Sequence, residues 1–298
     1  MRHRRPRWFL ALIAALSALA LVVAGCGGRQ ADTGQQARKI NIGYVAWDDS
    51  VAVSHLYKVL LEKRGYAVNL TELEAGPAYA GLAQGNVDLF HTAWLPSTHG
   101  DYYAQYKDRV EDLGVWYDNA TLNLAVPAYV TDVNSLADLK GKEAKFNGQI
   151  TGIDPGAGLT RVTKGQAMPA YGLTPGYQLK TSSSTAMQAA LDKAVKERQP
   201  IVVTLWHPHW AYARYPLKDL TDPQGAMGPP DQVHSLGRQG FTKDFPDLAP
   251  MIKNFKMTDE QLSALMDLVS KAPKGQEDQA ARQWADQNPQ VVSSFTTP

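Results

Sequence analysis

At 298 residues the chain can build one or two hydrophobic cores, and 30 basic against 29 acidic residues leave a net charge of +1. A balance this close to neutral offers no field for capturing nucleic acid. Its single cysteine, Cys26, excludes an internal disulfide and a cysteine-paired zinc site, so the fold must stand on its apolar core.

The elements begin with a segment that does not belong to the fold. Arg2, Arg4, Arg5 and Arg7 precede an apolar run from Trp8 to Ala24. A basic start, a short apolar stretch and a small-residue site form an export signal; a bilayer span asks for about 20 apolar residues. The next residues, Leu21-Val22-Val23-Ala24-Gly25-Cys26, resemble the lipobox of bacterial lipoproteins. That resemblance implies cleavage before Cys26 and a diacylglyceride on its thiol. The alternatives are a plain secretory signal and an uncleaved anchor, but lipidation accounts for the lone cysteine of an exported chain. Without residues 1–25 the balance becomes 26 basic to 29 acidic, about −3. Small polar residues after Cys26 read as a flexible tether, 26–39.

From residue 40 the chain alternates strands and helices. Ile40–Trp47 reads as a strand, Val51–Arg64 as a helix ended by Gly65, and Val68–Leu73 as a second strand. Ala78–Gln84 follows as a helix and Val87–Ala93 as a third strand, an order that predicts an α/β sheet with helical crossovers. Asn123–Val130 reads as a strand passing between two lobes. Beyond it come a short helix at 135–139, a strand at 149–153 and a helix over 158–171. A strand at 177–180, a helix at 185–198 and a strand at 201–206 complete the second unit. The Pro-, Gly- and Asp-rich stretch 217–240 is expected to be loop and the second crossover. Thr258 and Gln261 form a capping box ahead of a helix, and a last helix over 276–286 packs back on the first lobe. The expected organisation is therefore a signal peptide at 1–25 and a tether at 26–39. Lobe 1 takes 40–127 with 231–298, and lobe 2 takes 128–230, with a ligand cleft between them.

Trp47, Trp94 and Trp206 each stand at a strand end, where open α/β sheets bind ligands. Singly each could be a core residue; as a trio at equivalent edges they point to a site. Indole faces suit a trimethylammonium group, which makes no ordinary hydrogen bond and is drawn to the ring quadrupole by about 2 kcal/mol when desolvated. A zwitterion would also need an anion site. Gly152-Ile153-Asp154-Pro155-Gly156-Ala157-Gly158-Leu159 joins a strand to a helix, and the free amides of Gly158 and Leu159 can meet a carboxylate. His99 is a second donor, or else the cap of the helix that starts there. Asp48 and Asp49 could attract a cation, but the reading preferred for them is a cap for a helix beginning at Ser50.

These segments resemble the substrate-binding protein family of glycine betaine and choline importers. The resemblance rests on GYVAWDDSVAVSHLYKVLLEKRGY (43–66), AWLPSTH (93–99), GIDPGAG (152–158) and WHPHW (206–210), and extends over about 40–295. It implies a two-lobed periplasmic-binding-protein fold of type II with two crossover strands, closing on the ligand. The prism around the methylated ammonium would be Trp47, Trp94 and Trp206, and the carboxylate would be held by the amides of Gly158 and Leu159 and by His99. The implied partners are an ABC permease and ATPase complex, reached from a lipid-anchored monomer outside the membrane, with no cofactor or metal. Leu205 and His207 depart from the family's Gly-Trp-Thr/Ser-Pro-His-Trp pattern, so the indole at 206 could sit differently. Trp210, His209, Tyr212 and Tyr215 are expected to support the loop.

The alternative ligands are choline, carnitine or another methylated onium. A more distant alternative is an exported hydrolase with a histidine-lined cleft. Against it, His-Glu-x-x-His is absent, His207-Pro208-His209 lacks a third ligand, and Ser182-Ser183-Ser184 is no nucleophile elbow but a helix cap. No enzyme activity is expected.

Overall fold

The structure, a computed structural model, describes residues 38–296; the expected signal peptide, Cys26 and all but the end of the tether lie outside them. The chain opens β1 (Lys39–Tyr44), α1 (Asp48–Glu62), β2 (Ala67–Glu72), α2 (Ala75–Gln84) and β3 (Leu89–Leu95). β1 pairs in parallel with both β2 and β3, as strands joined by helical crossovers must. Next come α3 (Gly100–Tyr106), β4 (Val110–Pro127) and β5 (Gln149–Thr151). They are followed by α4 (Gly158–Val162), α5 (Met168–Ala170), β6 (Gln178–Lys180), α6 (Ser184–Lys196) and β7 (Val203–His207). α7 (Ala211–Arg214), β8 (Leu217–Asp219) and β9 (Asp231–Arg238) precede the closing helices. These are α8 (Phe241–Asp244), α9 (Ala249–Asn254), α10 (Asp259–Ser270), α11 (Glu277–Gln287) and α12 (Pro289–Thr296).

The strand order is β2-β1-β3-β9-β4-β7-β5-β6, with β8 also on β4. β4 joins two halves. Its residues up to Ala120 pair antiparallel with β9, and Thr121–Pro127 pair with β7 and β8. The partner change falls within the strand, ahead of the 127/128 boundary expected from sequence. Three register shifts along the β4–β9 ladder bend and twist the strand locally.

Those shifts explain why a strand pattern is legible in the sequence only from Asn123. A bulged strand loses its two-residue alternation, and here Trp116 and Tyr117 are adjacent yet both buried. The 217–240 segment is corrected more strongly, since it holds β8 and β9 rather than loop alone. β9 is polar in composition but lies between β3 and β4, and its polar side chains find partners there. Ser235 meets His91 at 3.0 Å, and the Arg238 guanidinium donates to Asp88 at 2.7 Å. The helix expected over 158–171 is α4 and α5 joined by a π-helical turn, Thr163–Ala167.

α1 starts at Asp48, two residues early, and Trp47 occupies its N-cap without a side-chain capping bond. The cap reading of Asp48 and Asp49 is thereby corrected. Both lie inside the first turn, where the helix dipole favours acids, and their carboxylates accept from indole N–H groups instead. Two other caps are as read: Ser183 Oγ accepts from Ala186 N, and Thr258 and Gln261 form a reciprocal box. α10 buries Leu262, Leu265, Met266 and Val269, and α11 is tied to α1 by His55 Nδ1 and Lys58 at Asp278. Among the described residues no helix is long and apolar enough to cross a membrane.

Candidate functional site

Four chain segments, drawn from both halves of the sheet, meet at one site. The β1–α1 turn brings Trp47 and Asp49; the end of β3 and its following turn bring Trp94, Thr98 and His99. The β5–α4 loop and β7, in the second half, bring Gly158, Leu159 and Trp206. Together they line a partly open pocket of about 300 Å³, a volume that includes open solvent. All six residues picked from sequence, Trp47, Trp94, His99, Gly158, Leu159 and Trp206, line it, joined by Asp49, Thr98, Leu122, Ile153 and Ala157. Trp210, His209, Tyr212 and Tyr215 are not among the lining residues.

Each indole is held in a defined way. Trp47 Nε1 donates to Asp154 Oδ2 at 2.7 Å, and Trp47 stacks on His99 with centroids 5.3 Å apart. Trp94 Nε1 donates to Asp49 Oδ2 at 3.1 Å. Trp206 sets its ring edge-on to His209, centroids 4.5 Å apart at 88°, and its buried Nε1 has no hydrogen-bond partner among the described residues. The three rings are 3–6% exposed, so a cation among them would be largely desolvated, the condition under which cation–π attraction is strongest.

His99 forms no side-chain cap on α3. Its Nδ1 accepts from the backbone N–H of Trp94 at 3.1 Å. Burial, with the Arg161 charge adding to it, pushes the imidazole down to about 3. The ring is therefore neutral at physiological pH with its proton on Nε2, one fixed N–H donor. Asp49 is opposite in character. Burial raises its carboxyl to about 6, the Trp94 N–H lowers it in part, and neighbouring Asp48 raises it again.

Gly158 makes the close contact of the site. A Cβ there would sit 2.1 Å from the carbonyl oxygen of Thr98. Thr98 is pinned by buried Asp231, which accepts from the N–H groups of Ser97 and Thr98 at 2.6 and 2.9 Å. Further bonds cross between the halves, from Tyr102 OH to the Gly156 carbonyl at 3.0 Å and from Arg161 Nη2 to the Thr98 carbonyl at 2.9 Å.

Residues 38–287 match the family described as the substrate binding domain of ABC-type glycine betaine transport systems. The chain belongs to this family. A glycine betaine/carnitine transport binding protein of Listeria monocytogenes is 39% identical over 153 residues, 51% of this chain and 50% of that relative. The chain thus aligns with about half the length of that curated relative. Among solved structures, a glycine betaine/L-proline-binding protein of Borrelia burgdorferi superposes with a TM-score of 0.82 at 36% identity, over 87% of this chain and 97% of its own. Lactococcal OpuAC, closed and complexed with glycine betaine, gives 0.80 at 31% identity, over 87% of this chain and all of its own. The fold is the two-lobed binding-protein fold expected from sequence.

Sequence reasoning missed Asp49 as a cavity wall, because residues 48 and 49 both read as caps. It also missed Leu122, which lies one residue before the stretch read as strand and pairs opposite Trp206 on β7. Asp154 stood inside the quoted glycine-rich motif, but no local pattern tied it to Trp47.

Proposed function

We propose that this chain is the extracytoplasmic substrate-binding component of an ABC importer, and that it binds glycine betaine or a similar quaternary-ammonium zwitterion and delivers it to a permease and ATPase complex for osmoprotection. The observation that carries the reading is the convergence of three buried indoles, drawn from both sheet halves, on one cavity. Trp47, Trp94 and Trp206 enclose the methylated nitrogen. The neutral Nε2–H of His99 and the N-terminal amides of Gly158 and Leu159 receive the carboxylate. Lobe 1 corresponds to the half carrying β1–β3 and β9, and lobe 2 to the half carrying β5–β8. Export through residues 1–25 and lipidation of Cys26 place the monomeric receptor at the membrane surface, joined to β1 by the 26–39 tether. The carboxylate of Asp49 suits any onium head group, which keeps choline or carnitine as the second reading.

Calorimetry with both ligands tests the anion site. Glycine betaine is expected to bind at least about tenfold more tightly than choline, a difference of ~1.4 kcal/mol, because choline has no carboxylate for the three donors. Choline binding the more tightly of the two would remove the carboxylate subsite.

The pH dependence follows from Asp49. Its folded carboxyl sits above the ordinary aspartate value, so its stability contribution is present at low pH and lost as pH rises through about 6. Binding a cation has the reverse sign, because it favours the ionised carboxylate. Affinity should therefore fall about tenfold from pH 7 to pH 5, and Asp49→Asn should flatten the profile. A native profile as flat as that of the variant would exclude Asp49 from contact with the ligand's charge.

A further inference from the structure

Asp48 is not a wall of the cavity, yet it is only 10% exposed and every side chain that binds its carboxylate comes from the opposite half. Oδ2 accepts from Ser184 Oγ at 3.0 Å and from Gln188 Nε2, one turn apart on α6. Oδ1 accepts from Trp210 Nε1. His209 Nδ1 accepts from the N–H of Ala211 at 3.0 Å, and its Nε2 lies 3.3 Å from Asp48 Oδ2 without hydrogen-bond geometry. Burial alone would raise the Asp48 carboxyl, but His209, Trp210 and Ser184 hold it below the ordinary value.

We propose that Asp48 is the positioning residue that latches the two halves over the bound ligand, a role that rests on the binding function given above. Its neighbours Trp47 and Asp49 line the cavity, and His209, which faces it, abuts the edge of Trp206. One carboxylate thus ties the turn bearing the first indole to the loop behind the third. When the halves part, Asp48 and its three hydrogen-bond donors return to water; when they close, the same groups form a buried, charge-assisted cluster with His209 beside it. Such bonds are stronger than neutral ones, and losing one partner leaves the rest buried and unpaired. The rim bridge from Arg214 to Asp267, at 2.7 Å with both side chains 31% exposed, belongs to the class of exposed pairs that contribute little. The buried cluster at Asp48 therefore contributes more to closure than this rim pair, and acts beside the bonds of Trp47, Tyr102 and Arg161 across the same contact.

The latch stabilises the closed arrangement whether or not ligand is present, and with ligand inside it slows release. In the full chain, Asp48→Ala is expected to speed glycine betaine dissociation roughly tenfold to hundredfold, as losing a hydrogen bond to a charged group does, with association changed far less. Stopped-flow tryptophan fluorescence reads both rates. Gln188→Ala removes one donor from the other side of the contact and should also speed release. The double variant should lose less than the sum of the two, the mark of a shared interaction. Additive effects, or slower association with unchanged release, would overturn the latch. Small-angle scattering on native and Asp48→Ala chains supplies a readout independent of the ligand assignment. If the native chain fails to bind glycine betaine, the onium reading fails, and identical radii of the two ligand-free chains would then overturn the latch as well; a more open variant would sustain it.

Discussion

Gly158→Ala is expected to weaken glycine betaine binding about 100-fold, the ~3 kcal/mol upper range of overpacking costs, while the ligand-free protein folds as the native chain does. The added Cβ would lie 2.1 Å from Thr98 O, 2.5 Å from its Cγ2 and 2.9 Å from its carbonyl carbon. A side-chain tip could swing away from such a contact, but this is backbone. Asp231 holds the Ser97 and Thr98 amides, and Arg161 holds the Thr98 carbonyl. The remaining relief is to move the β5–α4 loop away from the β3 turn, which opens the cavity between them. Gly158 is not at positive φ, and alanine is the better helix former at the start of α4. The opened state therefore carries no penalty of its own. Calorimetry on the variant, beside thermal unfolding without ligand, separates the two effects. Affinity within threefold of native would show that the halves need not approach this closely to bind.

Trp94→Ala should cost about 2–4 kcal/mol of affinity, as truncation of a central aromatic anchor does. Trp94 is 5% exposed and lines the cavity. Removing it takes away an indole face and also the N–H that Asp49 accepts at 3.1 Å, so a buried carboxylate loses one of its protein donors. Trp94→Phe keeps an aromatic face without the N–H and should fall between native and alanine. Circular dichroism establishes that the variants fold, and calorimetry gives the affinities. An alanine variant that binds as the native chain does would place Trp94 outside the ligand shell.

Much of the site could be read before the fold was known, because strand ends are local features. The positions of Trp47 and Trp206 follow from where β-branched and apolar runs stop. Gly158 and Leu159 follow from a glycine-rich turn leading into a helix. His99 was ambiguous from its neighbours alone and was ranked only by the motif that it shares with a family. The segments that misled were those whose pairing overrides local pattern: bulged β4, which lacks strict alternation, and β9, whose polar residues find partners on β3, on β4 and in the residues flanking β3.

The sequence by itself determined the element types, the chemistry of the cage residues and their place at the edge of an α/β sheet, since these depend on spacing over a few residues. Only the tertiary structure decided what Asp48 and Asp49 do. Successive residues on a helix point about 100° apart, so one carboxylate turns to Trp94 and the cavity while the other turns to Ser184, Gln188 and Trp210. Those partners are 45 and 136 to 162 residues away in the chain. No periodicity along the chain encodes such a meeting, because it exists only when the two halves of the sheet face each other.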